Sequence, residues 1–285
     1  MHLITSIPSP SIQYFDLGPL RIHIYALCIL LGIALATWIT DARLSKRGAE
    51  RGVVLDIILW AVPLGIIGAR FYHVFTHPAD YFYEGADLLK VFYIWEGGNA
   101  IFGSLLGGAV GAWIGCKQTG IRFWSFADAL APAMLIAQAT GRLGNYFNHE
   151  LFGLPTNLPW GLEIATENRP TEFTQFETFH PTFLYEALAC VAIGFFIIWA
   201  DKRYVMGHGR VFALYVALYC AARGLIETIR IDDARHILGL RFNVWTALII
   251  GALALLYLVR SSEKNPGREL MSGGKLVIQG QGPTV

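Results

Sequence analysis

The sequence predicts an all-α integral membrane protein, on the basis of its composition, the length of its apolar runs and the position of its basic residues. Of its 285 residues, 54% are hydrophobic and only 15% are charged, and the mean hydropathy is +0.47. About a quarter of the residues of a typical soluble domain are charged. The low charge therefore excludes a soluble globular protein and indicates that most of the chain lies in a bilayer.

Seven apolar runs are long enough to cross a membrane. A hydrocarbon core about 30 Å thick needs roughly 17 to 25 residues of α-helix. Runs of about this length occupy Ile22–Thr40, Val53–Phe75, Asn99–Cys116, Phe123–Thr140, Phe183–Ala200, Val211–Ile226 and Phe242–Val259. The sequence therefore predicts seven transmembrane helices.

Basic residues mark the cytoplasmic side of these helices, because lysine and arginine in short loops are retained there during insertion. The loops 41–52, 117–122 and 201–210 and the tail from residue 260 hold 13 of the 22 lysines and arginines. All four segments lie on one side of a seven-helix arrangement. We therefore expect the N-terminus outside and the C-terminus in the cytoplasm.

The chain shows no change of composition that would separate domains within residues 1–260, which are predicted to form one seven-helix transmembrane domain. A polar stretch at about residues 145–180, rich in Pro, Thr, Asn and Glu, predicts an outer cap loop. Residues 261–285 are polar and rich in glycine, so we expect a poorly ordered cytoplasmic tail.

The cysteines give no sign of catalytic or metal chemistry. Cys28, Cys116, Cys190 and Cys220 all fall inside predicted helices, where a cysteine behaves as a small buried apolar side chain. The sequence has no metal-ligand spacing and no glycine-rich loop of the kind that cradles nucleotide phosphates. We therefore expect no metal, no cofactor and no nucleic-acid partner.

The third predicted helix carries glycines at four-residue intervals, namely Gly103, Gly107, Gly111 and Gly115. This spacing lets a neighbouring helix approach closely and predicts a packing face. The alternative is that the outer end of this helix leaves room for a lipid chain or headgroup.

Polar side chains cluster at the outer ends of the predicted helices. An arginine in the middle of a spanning helix costs roughly 2.5 to 3.5 kcal/mol, and less near an end. Long basic side chains can reach the headgroups unaided, but tyrosines, asparagines and carboxylates gain little by doing so. The residues predicted to form one outer layer are Tyr25, Arg70, Arg142, Asn145, Glu150, His180, Glu186, Arg223 and Glu227, and Tyr185 enters the fifth helix from the outer side beside Glu186.

Three members of this layer are arginines, whose guanidinium groups can donate two hydrogen bonds to a phosphate. We therefore expect Arg70, Arg142 and Arg223 to face a cavity that receives a phosphate, which at this depth belongs to a lipid headgroup. Gly141 and Gly144 flank Arg142 and predict that the fourth helix breaks or thins there. Irregular backbone is tolerated at membrane depth where it lines a cavity.

The segment GRLGNYFNHELFG at residues 141–153 resembles the signature of the prolipoprotein diacylglyceryl transferase family, G-R-x-G-N-x-x-N-x-E-x-x-G, at every fixed position. Six further blocks match the family in the same order: IHIYALCILLG, GARFYHV, WEGGNAIFGSLLGG, FADALAP, HPTFLYE and RGLIETIR. The resemblance covers nearly the whole spanning region, and the sequence is identified from it as a member of this family.

The resemblance implies an enzyme of the bacterial cytoplasmic (inner) membrane with its active site towards the outer leaflet. It implies that the diacylglyceryl group of phosphatidylglycerol is transferred to the lipobox cysteine of a prolipoprotein signal peptide, which forms a thioether and releases glycerol phosphate. It also implies that the site includes the residues at matching motif positions, which are Tyr25, Arg142, Asn145, Glu150, Arg223 and Glu227.

Arg142 and Arg223 are expected to bind the phosphate and to stabilise the charge that develops on the departing glycerol phosphate. Glu227 and Glu150 are expected to orient these two guanidinium groups. Five further residues are expected to contact the lipid headgroup or its esters: Tyr25, Arg70, Asn145, Tyr185 and Glu186.

One position departs from the family. Many members have a histidine where this chain has Phe102, so a histidine base at that position is impossible here. We instead expect His149 or His180 to accept the thiol proton, since both are predicted on the outer side and an imidazole titrates at about pH 6.5. The alternatives are an exposed loop position for His149 and a cap of the fifth helix for His180.

A competing hypothesis is a non-enzymatic carrier or receptor for an anionic phospholipid or small phosphate, because the same arginines would suit it. Many carriers contain an inverted repeat, and the sequence shows none. Charged residues that could form a path to the inner side are also scarce. Both observations favour the transferase.

Overall fold

The computed structural model describes residues 6–232, 234–265 and 267–269, with every side chain among them except that of Glu96. In this part of the chain there are seven α-helices, one for each predicted apolar run, which confirms a mainly helical protein. Their bounds are α1 Ile24–Lys46, α2 Val53–Thr76, α3 Ile101–Thr119, α4 Phe123–Phe147, α5 Thr182–Tyr204, α6 Arg210–Glu227 and α7 Phe242–Lys264.

Four of the described helices, α1, α2, α5 and α7, are long and apolar enough to cross a membrane by length and composition. The others are less apolar, because α3 is rich in glycine and because α4 and α6 carry charged residues such as Asp128, Arg142 and Glu227. The membrane character of the chain therefore has structural support from four helices. The count of seven spans and their orientation stay predictions.

Seven short β-strands lie outside the helices in the described residues, so the prediction of an all-α fold is wrong in this detail. They are β1 Ser6–Ile7, β2 Tyr14–Leu17, β3 Leu20–His23, β4 Gly161–Glu163, β5 Thr178–Phe179, β6 His236–Ile237 and β7 Leu240–Arg241. β1, β4 and β5 form one sheet, and β2–β3 and β6–β7 are hairpins. Pairing of these extended segments satisfies their backbone amides and carbonyls.

The β6–β7 hairpin leads the chain from α6 towards α7. Its turn consists of Leu238 and Gly239, whose φ angles of 50° and 79° are both positive, as in the turns that two-residue hairpins favour. Arg241 pairs with His236 across the hairpin and directly precedes α7. The backbone of Arg241 is thus fixed on both sides.

The chain divides into two compact units. One contains α2 and α3 with the 3₁₀ turns between them. The other contains α5, α6, α7, most of α1 and α4, and all seven strands. Each unit has its own packing.

α2 and α3 pack with their backbones in close approach. A Cβ atom added at Gly107 would overlap the carbonyl oxygen of Leu64. One turn away, a Cβ atom added at Gly103 would overlap the carbonyl oxygen of Gly68. The predicted packing face of α3 is therefore confirmed, and α2 is the helix that covers it.

In the other unit, α4, α5 and α6 share a core of small and branched side chains: Ala131, Leu135, Ala139, Ala187, Cys190, Ile197 and Val211. Asp128 on α4 accepts hydrogen bonds from the backbone amides of Gly209 (3.0 Å) and Phe212 (2.9 Å). These amides belong to the first turn of α6, whose N–H groups have no partner within the helix. The carboxylate therefore caps α6 and joins it to α4.

The polar stretch after α4 is a folded cap and not an open loop. Its buried side chains, with one from the start of α5, are Phe152, Leu162, Ile164, Phe179 and Phe183. β4 in the cap pairs in parallel with the N-terminal strand β1 and antiparallel with β5. The cap therefore has its own apolar core and a small sheet.

The predicted break in the fourth helix is wrong. α4 continues through Gly141 and Gly144 to Phe147. The glycine at position 144 instead makes room for the ring of Tyr25 on α1, since an added Cβ would lie 2.5 Å from Tyr25 Cδ2. At the other end of the chain, α7 extends to Lys264, beyond residue 260, and most of the predicted tail lies outside the described residues.

We expect Gly107→Ala to destabilise the α2–α3 pair, because overpacking of this kind costs about 1 to 3 kcal/mol. Gly108→Ala is the matched control, since the atom closest to its added methyl is the oxygen of Ala61 at 3.7 Å. Thermal unfolding in detergent should give a lower Tm for Gly107→Ala and an unchanged or higher Tm for Gly108→Ala. Equal melting temperatures for the two variants would contradict the close approach of the helices.

Candidate active site

The signature segment forms a hydrogen-bonded row of side chains at the end of α4. Arg142 Nη1 donates to Asn145 Oδ1 (3.0 Å), and Asn145 Nδ2 donates to Glu150 Oε1 (2.7 Å). The backbone amide of Glu150 also donates to the carbonyl of Asn145 (3.2 Å). Asn145 is 5% exposed, and both ends of its amide are satisfied, as a buried polar side chain requires.

The turn after α4 has an unusual backbone. His149 and Leu151 have φ angles of 55° and 60°, in the left-handed region that few residues other than glycine adopt. Gly153 has no room for a side chain, since an added Cβ would lie 2.8 Å from the oxygen of Ile229 and 2.9 Å from His180 Cβ. The last glycine of the signature therefore packs the cap against the residues that follow α6.

Glu186 on α5 is the centre of the site and is 3% exposed. Its Oε1 accepts a hydrogen bond from the hydroxyl of Tyr219 (3.1 Å) and pairs with Arg142 Nη2 (2.6 Å). Its Oε2 makes a longer contact with Arg223 Nη1 (3.5 Å). One buried carboxylate thus joins α4, α5 and α6.

Glu227, the last residue of α6, is a second buried carboxylate with 0% exposure. Its Oε2 lies 2.5 Å from Arg223 Nη2, as an ion pair without the alignment of a hydrogen bond. Its Oε1 accepts from Arg241 Nε and from Asn243 Nδ2, both at 2.9 Å. These donors compensate a charge that is strongly unfavourable when it is buried alone.

The arginines that pair with these carboxylates, Arg142 and Arg223, are the accessible members of the site. The side chains of Arg142 and Arg223 are 21% and 18% exposed, whereas those of Glu186 and Glu227 are 4% and 0% exposed. A ligand that reaches the site therefore meets guanidinium groups, with the carboxylates behind them. This arrangement suits an anion that accepts paired hydrogen bonds, such as a phosphate.

A third carboxylate, Asp232, lies outside the helices, in the segment that follows α6. Its Oδ1 pairs with Arg230 Nε (2.6 Å) and its Oδ2 with Arg241 Nη2 (3.1 Å). Burial raises the pKa of the Asp232 carboxyl, but the hydrogen bond from Arg230 and the charges of Arg230 and Arg241 outweigh burial. The net pKa lies below its ordinary value, because these partners favour the charged form.

His149 connects the N-terminal segment to the cap. Its Nε2 lies 2.8 Å from the carbonyl oxygen of Pro10, and its Nδ1 lies 3.1 Å from both Gln13 Nε2 and Asn168 Nδ2. A carbonyl can only accept and these amide nitrogens donate, so the neutral ring carries its proton on Nε2. Both ring nitrogens are therefore engaged in structural contacts.

His180 and Tyr185 form a second polar row at the start of α5. The hydroxyl of Tyr185 accepts from Trp160 Nε1 (2.9 Å) and lies 3.1 Å from His180 Nδ1. A hydroxyl can donate one hydrogen bond and accept two, so the contact with Nδ1 runs in either direction, depending on the tautomer of His180. Both residues thus belong to the same unit as the arginines of the site.

Arg70 belongs to the other unit and is 3% exposed. Its guanidinium donates to the backbone carbonyls of Val91 (2.9 Å), Gly97 (2.6 Å) and Lys90. These bonds fasten the segment between α2 and α3 to the end of α2, which accounts for an arginine at this depth. The phosphate contact expected of Arg70 stays a prediction.

Several residues of the site were not predicted from the sequence: Tyr219, Arg230, Asp232, Arg241 and Asn243. A signal existed for Arg230, which ends the block RGLIETIR and lies three residues after Glu227. Arg241 and Asn243 reach Glu227 only because the β6–β7 hairpin returns the chain to α6. Spacing along the sequence does not show this.

Known proteins are similar to this chain over most of its length. A family model for prolipoprotein diacylglyceryl transferase matches residues 13–260. The chain belongs to the prolipoprotein diacylglyceryl transferase family. The match to this family spans every residue of the site, from Tyr25 to Asn243. In the described residues, no group of three or more histidine, cysteine, aspartate or glutamate side chains could hold a metal ion.

Relatives in this family are similar over nearly the whole chain. The phosphatidylglycerol–prolipoprotein diacylglyceryl transferase of Streptomyces griseus is 52% identical over 264 residues, which cover 92% of this chain and 80% of the relative. The protein of the same name from Leifsonia xyli is 53% identical over 279 residues, covering 93% and 84%. That from Cutibacterium acnes is 49% identical over 257 residues, covering 90% and 87%.

Asp232→Asn removes a carboxylate whose pKa is lowered in the folded protein, so its effect on stability depends on pH. Such a group stabilises the fold at pH values above its unfolded pKa of about 3.9, and this contribution is lost as the pH falls through the folded pKa. We expect a lower Tm than wild type at about pH 7, and a difference that shrinks below about pH 4. Thermal scans in detergent from neutral to acidic pH measure it, and a constant difference would contradict the assignment.

Proposed function

We propose that this protein transfers the diacylglyceryl group of phosphatidylglycerol to the lipobox cysteine thiol of prolipoproteins. The observation that carries the proposal is the pair of accessible guanidinium groups, Arg142 and Arg223, which lie 2.6 Å and 3.5 Å from the shared carboxylate of Glu186. Relatives that are 49% to 53% identical carry the name phosphatidylglycerol–prolipoprotein diacylglyceryl transferase, which supplies both substrate classes.

The reaction exchanges a carbon–oxygen bond for a carbon–sulfur bond. The cysteine sulfur attacks the glycerol carbon that carries the phosphate, and the new bond is a thioether. The carbon–oxygen bond breaks, its electron pair leaves with glycerol phosphate, and a base takes the thiol proton. Negative charge therefore grows on the phosphate side of the transition state.

Arg142 and Arg223 bind the phosphate and stabilise this charge. A guanidinium has five N–H donors, so Arg142 keeps donors for a ligand after its contacts with Glu186 and Asn145, and Arg223 does so after its contacts with Glu186 and Glu227. Those carboxylates hold the arginines in position before the substrate arrives. Donors fixed in advance stabilise developing charge without reorganisation, which is the main source of rate enhancement in many enzymes.

The remaining polar groups act on these arginines or on the headgroup. Glu227 orients Arg223 directly, whereas Glu150 acts on Arg142 through Asn145. The residues proposed to hydrogen-bond the headgroup or the ester carbonyls are Tyr25, Asn145, Tyr185 and Glu186. The buried position of Glu186 behind both arginines supports a role in holding them as well.

The thiol must lose its proton, because only a few per cent of a cysteine with a pKa of about 8.5 is thiolate at neutral pH. His149 or His180 is the proposed base. In His180, Nδ1 is engaged with the hydroxyl of Tyr185 (3.1 Å). In His149 the acceptor nitrogen is shared by two amides, so a proton can reach this ring only when these bonds rearrange.

The proposed setting is the bacterial inner membrane, with seven spans, the N-terminus outside and the C-terminus in the cytoplasm. The cap and the arginines then face the outer leaflet, where a secreted prolipoprotein presents its lipobox. Both substrates stay in the membrane, so a lateral opening between helices is the proposed route. The unequal distribution of basic residues supports this orientation.

We expect Arg142→Gln to lower turnover by at least about 100-fold, because one donor to the developing charge is lost. Arg21→Gln is the matched control, since the Arg21 side chain is 56% exposed and pairs with Asp16 (3.1 Å). Mass spectrometry of a lipobox peptide incubated with phosphatidylglycerol and each purified variant detects the diacylglyceryl group on the cysteine.

A cysteine-to-serine peptide should gain no mass in that assay. If wild type modifies no peptide but binds phosphatidylglycerol through Arg142, the protein is a lipid receptor or carrier and the transferase proposal fails.

We expect either His149→Ala or His180→Ala to lower turnover by about 100-fold, the typical contribution of a general base. The loss should be largest at about pH 6 and smaller at about pH 8, where more of the thiol ionises unaided. The Tm of each variant separates a lost base from a lost cap contact. Wild-type turnover by both variants over this range would mean that the arginines alone lower the thiol pKa.

A further inference from the structure

Arg241 binds the carboxylate oxygen of Glu227 that Arg223 does not. Arg241 Nε lies 2.9 Å from Oε1, and Arg223 Nη2 lies 2.5 Å from Oε2. The negative charge of Glu227 is therefore shared by two arginines. Only Arg223 also contacts Glu186, the centre of the candidate site.

All three nitrogens of the Arg241 guanidinium are engaged. Besides the bond from Nε to Glu227, Nη1 donates to the carbonyl of Arg230 (2.7 Å). Nη2 donates to the carbonyl and the side chain of Asp232 (2.8 Å and 3.1 Å). The hairpin and the start of α7 fix its backbone, so Arg241 is a rigid partner and not a ligand-binding group.

The sharing of Glu227 between two arginines determines how much of the charge of Arg223 is available to a ligand. Opposite charges a few ångströms apart attract strongly where water is largely excluded. Without Arg241, the charge of Glu227 would be balanced mainly by Arg223, since Arg230 Nε lies 3.8 Å away. Oε1 would then keep only the uncharged donor Asn243 Nδ2 (2.9 Å), and the guanidinium of Arg223 could turn to bind both oxygens of Glu227, because arginine and carboxylate favour a two-bond contact.

We propose that Arg241 is a positioning residue that keeps Arg223 available for the phosphate of the lipid substrate. This inference rests on the proposed function, in which Arg223 binds that phosphate. Arg241 is the charged partner of Oε1, which it shares with Asn243, and it thereby restricts Glu227 to a one-oxygen contact with Arg223. The remaining N–H donors of Arg223, and part of its charge, are then directed to the ligand.

The geometry requires an arginine at this position. A planar guanidinium reaches Glu227, the carbonyl of Arg230 and Asp232 at once, whereas a lysine ammonium is a point charge on a flexible stem. Arg241→Lys keeps the positive charge beside Glu227 and loses the planar guanidinium that binds three partners at once. Arg241→Gln loses both, so the two variants separate charge from geometry.

The test is steady-state kinetics of wild type, Arg241→Gln, Arg241→Lys and Trp245→Phe with phosphatidylglycerol in mixed micelles and a lipobox peptide. Arg241→Gln should lower kcat/KM for phosphatidylglycerol about tenfold, the effect of one charge-assisted contact, mainly through KM. The KM for the peptide should stay unchanged. The kcat/KM of Arg241→Lys for phosphatidylglycerol should lie between those of Arg241→Gln and wild type.

Trp245→Phe is the matched control. It removes the hydrogen bond from Trp245 Nε1 to the carbonyl of Ile237 (2.9 Å), which fastens the same hairpin, and leaves the contacts of Arg241 in place. Its KM for phosphatidylglycerol should stay close to that of wild type. An equal rise in KM for Trp245→Phe and Arg241→Gln would show that Arg241 only holds the hairpin, and would overturn the inference.

An unchanged KM for phosphatidylglycerol in folded Arg241→Gln would also overturn it. If Arg241→Gln does not fold, Arg241→Lys decides alone, since a raised KM at near wild-type Tm supports the inference and an unchanged KM rejects it. If wild type transfers no diacylglyceryl group, the proposed function fails separately. The affinity of wild type, Arg241→Lys and Arg241→Gln for phosphatidylglycerol in micelles then tests the effect of Arg241 on lipid binding.

Discussion

The burial of two carboxylates, Glu186 and Glu227, is the constraint on which the arrangement of the site depends. A carboxylate with almost no exposed surface is tolerated only where cations and hydrogen-bond donors surround it. The donors to these two come from α4, α6, the β6–β7 hairpin and α7. Elements far apart in the sequence are therefore held together by charge as well as by apolar packing.

The signature segment combines two requirements in thirteen residues. Its first half continues α4 and supplies Arg142 and Asn145 to the polar row. Its second half makes the left-handed turn at His149 and ends at Gly153, where the absence of a side chain lets the cap approach the residues after α6. The same short stretch therefore supplies polar groups to the site and attaches the cap that lies beside it.

The sequence was sufficient to predict the helices and the polar ends of those helices, because apolar length and charge are local properties. Arg142, Arg223 and Glu227 could be selected for the same reason, aided by the family resemblance. The role of Gly144 could not be predicted from the sequence, since a glycine that ends a helix and a glycine that makes room for a neighbouring ring look alike until Tyr25 is placed. The role of Arg241 could not be predicted either, because its contact with Glu227 depends on a hairpin turn at Leu238 and Gly239.

The pairing of β1 with β4 also restricts the order in which the protein can assemble. Ser6 aligns with Gly161, so the first strand to emerge from the ribosome finds its partner only after four helices and the start of the cap have been made. Loop closure over that distance is a late step compared with the insertion of each helix. The N-terminal strand must therefore stay unpaired until β4 has been made, and its docking requires that both strands lie on the same side of the membrane.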